Sequence, residues 1–379
     1  MKKVFISIVS LFVVIAMISC GGSSVKQLTD HEILVKIYEA MNGAEWTESQ
    51  SKNWLSEKPI GEWGGVKTND EGRVITLRVQ GDGVYGLIPA EIGGLTELEK
   101  LNINSKDFDV PSVIPTEIGN LTKLKSLAIF ISANSKEDRP ALPNLTTLVD
   151  LESLYIEGFD GAIPENIGKL SKLKDLRLEG FEGEIPKSIC ELKDLEELIL
   201  VTYNQPKGAV PECIGNLSKL KTLRIDYSTG LVGGIMDVNA KLPQSIWNLT
   251  NLETLFIRSV SNTGGVIPGD KVAKMHQLKS VTIIDCGLTG TIPPEFFASG
   301  KLTSFSIYRN ELTGSIPSEI GNCHNLSILN LSQNQLTGNI PEGMIKSEKI
   351  WTFDLSGNQL SPNIPADLKA HPSFSKFKF

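Results

Sequence analysis

Apolar residues recur along this chain on two scales at once. At short range they follow L-x-x-L-x-L, as in Leu173/Leu176/Leu178, Leu195/Leu198/Leu200 and Leu220/Leu223/Ile225, and thirteen such copies run from Val74/Leu77/Val79 to Phe374/Phe377/Phe379. At longer range an Ile-Pro or close variant separates the copies, at Pro89, Pro115, Pro143, Pro164, Pro186, Pro211, Pro243, Pro268, Pro293, Pro317, Pro341 and Pro365. L-x-L alternation is the period of a strand whose leucines point one way and whose x residues point the other. One such strand cannot bury its own face. The copies are therefore expected to stack in parallel about 4.8 Å apart, giving a ladder of about 60 Å with one shared core. The Pro-x-x-Ile-Gly-x-Leu segments return the chain along the opposite, convex side.

The phrase running from Leu329 to Pro341, Leu-Asn-Leu-Ser-Gln-Asn-Gln-Leu-Thr-Gly-Asn-Ile-Pro, resembles the plant-type class of leucine-rich repeats, found in plant receptor kinases and related bacterial surface proteins. The resemblance covers residues 73–379. It implies an α/β repeat fold: a curved right-handed solenoid of about 12–13 strands, a parallel sheet on the concave side, short helical or irregular convex segments, and a small α-containing N-terminal cap. It also implies that the repeat asparagine bonds backbone groups of adjacent turns. Asn310, Asn334 and Asn358 hold that position and Cys286 takes it one repeat earlier. Phe159 and Phe181 replace the whole Asn step, so a break from the regular plant-type superhelix is expected between residues 150 and 265.

Residues 28–72 read as the cap that the first strand needs. Thr29 or Asp30 can begin a helix through Ile33, Leu34, Ile37, Tyr38 and Met41 that Asn42-Gly43 stops, and Trp46, Trp54 and Trp63 add bulk. The run from Asn53 to Val74 resembles the cap before plant-type repeats, with Thr68 where those place a cysteine, so no disulfide staple is expected there. At the other end a last strand is expected over Phe374–Phe379, its edge guarded by Lys376 and Lys378.

Residues 1–19 have the layout of an export signal, with Lys2 and Lys3 before an apolar stretch too short to span a bilayer. Met17-Ile18-Ser19-Cys20-Gly21 resembles a bacterial lipobox, which implies a lipid on Cys20 followed by a flexible tether over residues 20–27. The whole then resembles Bacteroidetes-like leucine-rich-repeat lipoproteins. Gly21 after the lipid cysteine points, by resemblance to bacterial sorting, to the outer membrane. A plain signal peptide with an incidental cysteine is the alternative. Without Lys2 and Lys3 the formal charge of −7 becomes −7 − 2 = −9, which argues against an electrostatic grip on nucleic acid.

Chemistry-bearing motifs dissolve on inspection. Gly81-Asp82-Gly83-Val84-Tyr85-Gly86 matches G-x-G-x-x-G, but Leu87-Ile88-Pro89 follows at once where every repeat turns, and no crossover helix comes after. Ser171-x-x-Lys174 and Ser218-x-x-Lys221 mimic a hydrolase nucleophile but belong to the ordinary Leu-Ser-Lys-Leu-Lys step. The Asn-x-Ser/Thr triplets at Asn120, Asn144, Asn216, Asn248 and Asn325 coincide with the repeat consensus. His31, His276, His324 and His371 lie in different repeats or in the cap, with no matching nucleophile or carboxylate. No enzyme, metal site or cofactor is expected. Cys190 and Cys213 sit in adjacent convex segments but are offset by two positions, which favours two small buried side chains over a bridge.

If the x residues face the concave side, they can be read across repeats as columns. One column runs Tyr155, Arg177, Ile199, Arg224, Phe256, Thr282, Ser306; the next runs Glu157, Glu179, Val201, Asp226, Arg258, Ile284, Tyr308. Aromatic and arginine side chains, the usual anchors of protein interfaces, dominate the centre. The candidate ligand-binding set is Tyr155, Glu157, Arg177, Glu179, Ile199, Val201, Arg224, Asp226, Phe256, Arg258 and Tyr308, with Tyr203 and Tyr227 overlooking the groove. Arg177 beside Glu179 and Arg224 beside Asp226 also fit rungs that merely neutralise each other. The insertions at 132–141, 228–241 and 259–264 follow strands and should flank the same rungs, which tips the reading toward binding. The expected partner is a protein or peptide, or else a glycan, held by a monomeric chain. An idle concave face in a structural envelope component is the competing reading.

Overall fold

In a computed structural model of the chain, the residues described are 27–105, 114–131, 140–159, 161–202, 210–227, 242–260 and 265–379. The export signal, Cys20, Tyr203 and most of the three insertions lie outside them.

The chain opens on helix α1 (Asp30–Ala40), where Thr29 and Glu32 form a reciprocal capping box, the Thr29 hydroxyl accepting from the Glu32 N–H and the Glu32 carboxylate from the Thr29 N–H. Asp30 then does a second job. Its buried carboxylate accepts from the Arg73 guanidinium and from the Val74 N–H, tying the cap to the first repeat strand. Short helix α2 (Glu48–Ser51) follows, and Trp46, Trp54 and Trp63 pack edge to face and tilted over α1. The indole N–H of Trp46 reaches the Met41 carbonyl and that of Trp54 the Gly64 carbonyl, so neither buried ring leaves a donor unmet. The glycines of the nucleotide-like decoy lie against this cap: a Cβ on Gly83 would meet the Glu45 carbonyl, and one on Gly86 the Ala40 carbonyl.

The main sheet begins in the cap with β1 (Val66–Thr68), which pairs antiparallel with β2 (Val74–Gln80). From β2 onward all pairing is parallel and in sequence order. The next strands are β3 (Lys100–Ser105), β4 (Ser126–Ile131), β5 (Ser153–Glu157), β6 (Asp175–Glu179), β7 (Glu197–Val201) and β8 (Thr222–Asp226). They continue through β9 (Thr254–Arg258), β10 (Ser280–Ile284), β11 (Ser304–Tyr308) and β12 (Ile328–Asn330). Thr337–Gly338 and Gln359–Leu360 are short strands β13 and β15 of a second, two-stranded sheet, and β14 (Thr352–Asp354) closes the main one. Twelve strands are thus parallel and the thirteenth is the antiparallel β1 contributed by the cap, which the L-x-x-L-x-L count does not contain.

Leucines of equivalent position stack rung on rung: Leu154, Leu176, Leu198, Leu223 and Leu255 are in register and buried. Each such side chain contributes about 2 kcal/mol of burial that an isolated repeat could not collect. The expected break between residues 150 and 265 does not occur in the pairing. Phe159 and Phe181 are fully buried where the asparagine would be, so apolar bulk fills the bend that hydrogen bonds fill elsewhere, and the register of β5 to β9 is unbroken. From Cys286 on, the asparagine ladder is present. The Asn310 side chain accepts from the N–H groups of Cys286 and Leu288 and donates to the carbonyls of Ile283 and Tyr308; Asn334 repeats this one rung later with Leu312 and Ile307.

The C-terminal expectation holds in register but not in length. Phe374–Lys376 is a 3-10 turn, and only Lys378 bridges to Asp354, with its ammonium 3.6 Å from that carboxylate. Phe353 stacks on Phe377, so aromatic packing rather than a full strand covers the last rung.

On the convex side, among the described residues, eight 3-10 turns and the short helices α3 (Gly269–Val272) and α4 (Ala366–Lys369) follow the prolines, each burying its Ile, Val, Phe or Leu. Here the reading of Cys190 and Cys213 is overturned: they form a disulfide with Cα atoms 5.8 Å apart. The offset that argued against it is what produces it. The residue after the buried Ile of one turn abuts the residue before the buried Ile of the next: a Cβ on Gly93 would meet Glu117, and one on Gly215 would meet Ser245. Cys190 follows Ile189 and Cys213 precedes Ile214, so the pair occupies that same contact.

Candidate ligand-binding face

The column reading is correct as geometry. Tyr155, Arg177, Ile199, Arg224, Phe256, Thr282, Ser306, Asn330 and Asp354 are direct partners across successive strands, and so are Glu157, Glu179, Val201, Asp226, Arg258, Ile284 and Tyr308. Tyr155, Glu157, Arg177, Ile199, Arg224, Phe256, Arg258 and Tyr308 are half-buried and present surface on the concave side.

Four proposed contact residues are not available to a ligand. Glu179 is 7% exposed, Val201 5%, Asp226 1% and Tyr227 2%. Glu179 lies under the Arg177 guanidinium, which donates from Nε at 2.6 Å. Asp226 lies under Arg224, whose Nη2 is 2.7 Å away, with Arg258 Nη1 at 3.8 Å. Long guanidinium side chains cover the short carboxylates, so in these two pairs the groove meets the arginine rather than its partner. Tyr227 fails for a simpler reason: Leu223, Ile225 and Tyr227 alternate inward while Arg224 and Asp226 face out, and the tyrosine ring joins the core. Burial pushes its phenol well above the usual range.

Two features of the face escape a residue-by-residue reading. The first is a stack in which Phe256 has the Arg224 guanidinium 4.3 Å and the Arg258 guanidinium 5.3 Å from its ring centre. Two cations share one aromatic ring and one buried carboxylate. The second is a third outward column, Ser153, Asp175, Glu197, Thr222 and Thr254, which could have been read from the sequence like its neighbours. It adds two carboxylates to Glu157 and Glu179 around a single cation, Arg177. Desolvation, then repulsion by Glu179, raises the Glu157 pKa; desolvation, then Asp175, raises that of Glu197.

Along the edge where the chain enters the strands, charge alternates by repeat. Glu97/Glu99, Lys123/Lys125, Asp150/Glu152, Lys172/Lys174, Asp194/Glu196 and Lys219/Lys221 follow one another, and each basic pair bridges to the acidic pair before it at 2.5–3.0 Å. The Lys hydrogen bonds hold the Glu97, Asp150, Glu152, Asp194 and Glu196 carboxyls below their ordinary range. Among the described residues there is no group of three His, Cys, Asp or Glu side chains that could hold a metal, and no helix is long and apolar enough to cross a membrane.

The family described as Leucine-rich repeat region matches residues 141–307, and that described as Leucine Rich Repeat matches 301–323 and 325–346. Together with the sheet and its asparagine ladder, these matches give the chain the fold of a leucine-rich-repeat solenoid whose repeats are similar to the plant type. A probable leucine-rich repeat receptor-like protein kinase of Arabidopsis thaliana is 30% identical over 96 residues, 25% of this chain and 10% of that protein. Among solved structures, that of PEPR1–AtPEP1 is 28% identical with a TM-score of 0.64, covering 89% of this chain and 50% of that one. A TDR receptor is 27% identical with a TM-score of 0.64, covering 78% and 49%. A plant ice-binding protein, 22% identical with a TM-score of 0.61 over 89% and 97%, shares the fold. The chain spans about half the length of the two receptor structures it matches.

Proposed function

We propose that this chain is an exported, non-catalytic binding module of the bacterial cell envelope, held at the outer membrane by a lipid on Cys20, that recognises a protein or peptide through its central concave rungs. The observation that carries the binding reading is the run of half-exposed large side chains from Tyr155 to Arg258, in register on one sheet face. Such side chains supply contact area and directional hydrogen bonds at little entropic cost. The likeness to PEPR1, solved with AtPEP1, and to a TDR receptor supports it. The Cys190–Cys213 disulfide supports export, because cytosolic thiols are kept reduced.

Binding is tested by selecting a random displayed peptide library on the purified chain. Selected peptides should lose binding to a variant carrying Arg177→Ala, Arg224→Ala, Phe256→Ala and Tyr308→Ala; peptides that bind this variant as well as the parent would place recognition elsewhere. Anchoring is tested separately: Cys20→Ser should move the chain from the membrane to the soluble fraction and abolish fatty-acid labelling, and unchanged fractionation would refute the lipid.

A further inference from the structure

The concave face is electrically divided. Around β5 to β7, the carboxylates of Glu157, Asp175, Glu179 and Glu197 surround one cation, Arg177. Around β8 and β9 the balance reverses, with Arg224 and Arg258 over the single carboxylate of Asp226. Between the two lies the neutral rung face of Ile199 and Val201. We infer that this face takes an extended peptide laid across the rungs, with one basic and one acidic side chain four residues apart, the basic one over β5–β7 and the acidic one over β8–β9. The inference rests on the peptide-binding reading above and adds the ligand's charge pattern to it.

Spacing follows from rung geometry. The acidic half centres on β6 and the basic half midway between β8 and β9, two and a half rungs or about 12 Å away at ~4.8 Å per rung. Four residues of extended chain span about 13 Å, and an even spacing points both side chains at the same surface. At the basic end an acidic side chain meets guanidinium groups already held against Phe256 and Asp226, so little side-chain entropy is lost on pairing. At the acidic end Glu157 beside Glu179 and Glu197 beside Asp175 are desolvated and repelled by those neighbours more than Arg177 offsets, and an added cation relieves both. Nothing in a charge pair fixes chain direction, so Lys-x-x-x-Glu and Glu-x-x-x-Lys should both fit.

The test uses the whole chain and synthetic peptide pools with Lys and Glu fixed at spacings of two, four or eight and random residues elsewhere, read by fluorescence polarisation. The four-residue pools should bind about ten-fold better than Lys/Lys, Glu/Glu or eight-residue pools, with the advantage fading at high salt. The double variant Glu157→Lys, Glu197→Lys should lose that preference and favour Glu/Glu pools; if it does not fold, Glu157→Gln with Glu197→Gln should still lose the preference for Lys. Peptides that bind, fail on Phe256→Ala, yet ignore charge and spacing would overturn this inference and leave the peptide-binding reading standing. Binding that survives Phe256→Ala and the charge reversal, or no binding of any pool, would overturn both.

Discussion

Cys190 follows the buried isoleucine of one convex turn, Cys213 precedes that of the next, and the two sulfurs are bonded across the gap where other turns place a glycine against a neighbour's backbone. The bridge closes a loop of 23 residues, for which restricting the unfolded chain is worth about 3 kcal/mol. Reduction, or Cys190→Ala with Cys213→Ala, should therefore lower the denaturant midpoint of the oxidised chain by a clear margin. Identical melts with and without reductant would show that the bridge contributes nothing.

The asparagine ladder predicts unequal costs. The Asn334 side chain is buried and serves the Leu312 N–H and the carbonyls of Ile307, Leu331 and Ser332. Asn334→Ala strands several of these groups without water and should cost about 3 kcal/mol. Asn358, part-buried nearer the end, should cost less on the same substitution. Equal losses in parallel denaturation curves would contradict the burial argument.

A pH signature belongs to the acidic half of the concave face. Glu157 and Glu197 have folded pKa values above their unfolded ones, so the folded chain binds their protons first. The stability they contribute is full below the ordinary glutamate range near 4.5 and is lost as pH rises through the raised folded values. Glu157→Gln with Glu197→Gln should accordingly stabilise the chain at neutral pH and flatten its stability profile just above pH ~4.5. An unchanged profile would mean that these carboxylates are already compensated.

The alternating charges at the strand-entering edge predict a salt-dependent effect. Lys172→Glu with Lys174→Glu would set three acidic rungs side by side, Asp150/Glu152 and Asp194/Glu196 flanking the changed one. Melting temperature should drop at low ionic strength and recover at high salt, since exposed charges are screened. A drop that salt does not repair would point to packing instead.

Much of this fold was legible from spacing alone. L-x-x-L-x-L fixed which residues point inward, and strands one rung apart keep that choice because a one-residue slip would turn every leucine outward. Column membership on the concave face followed from the same rule, and Tyr227, read as overlooking the groove, obeys the alternation that should have placed it inside. The sequence by itself thus determined the ladder, the cap helix up to the choice of Thr29 or Asp30 as its start, and the candidate columns. Tertiary structure alone decided how neighbouring turns meet. It bonded Cys190 to Cys213 through a contact between turns, laid Arg177 and Arg224 over Glu179 and Asp226, stacked Arg224 on Phe256, and added a cap strand antiparallel to β2. Periodicity states the direction in which a side chain leaves the backbone; what it then touches depends on the length and flexibility of the side chains one rung away, which only packing resolves.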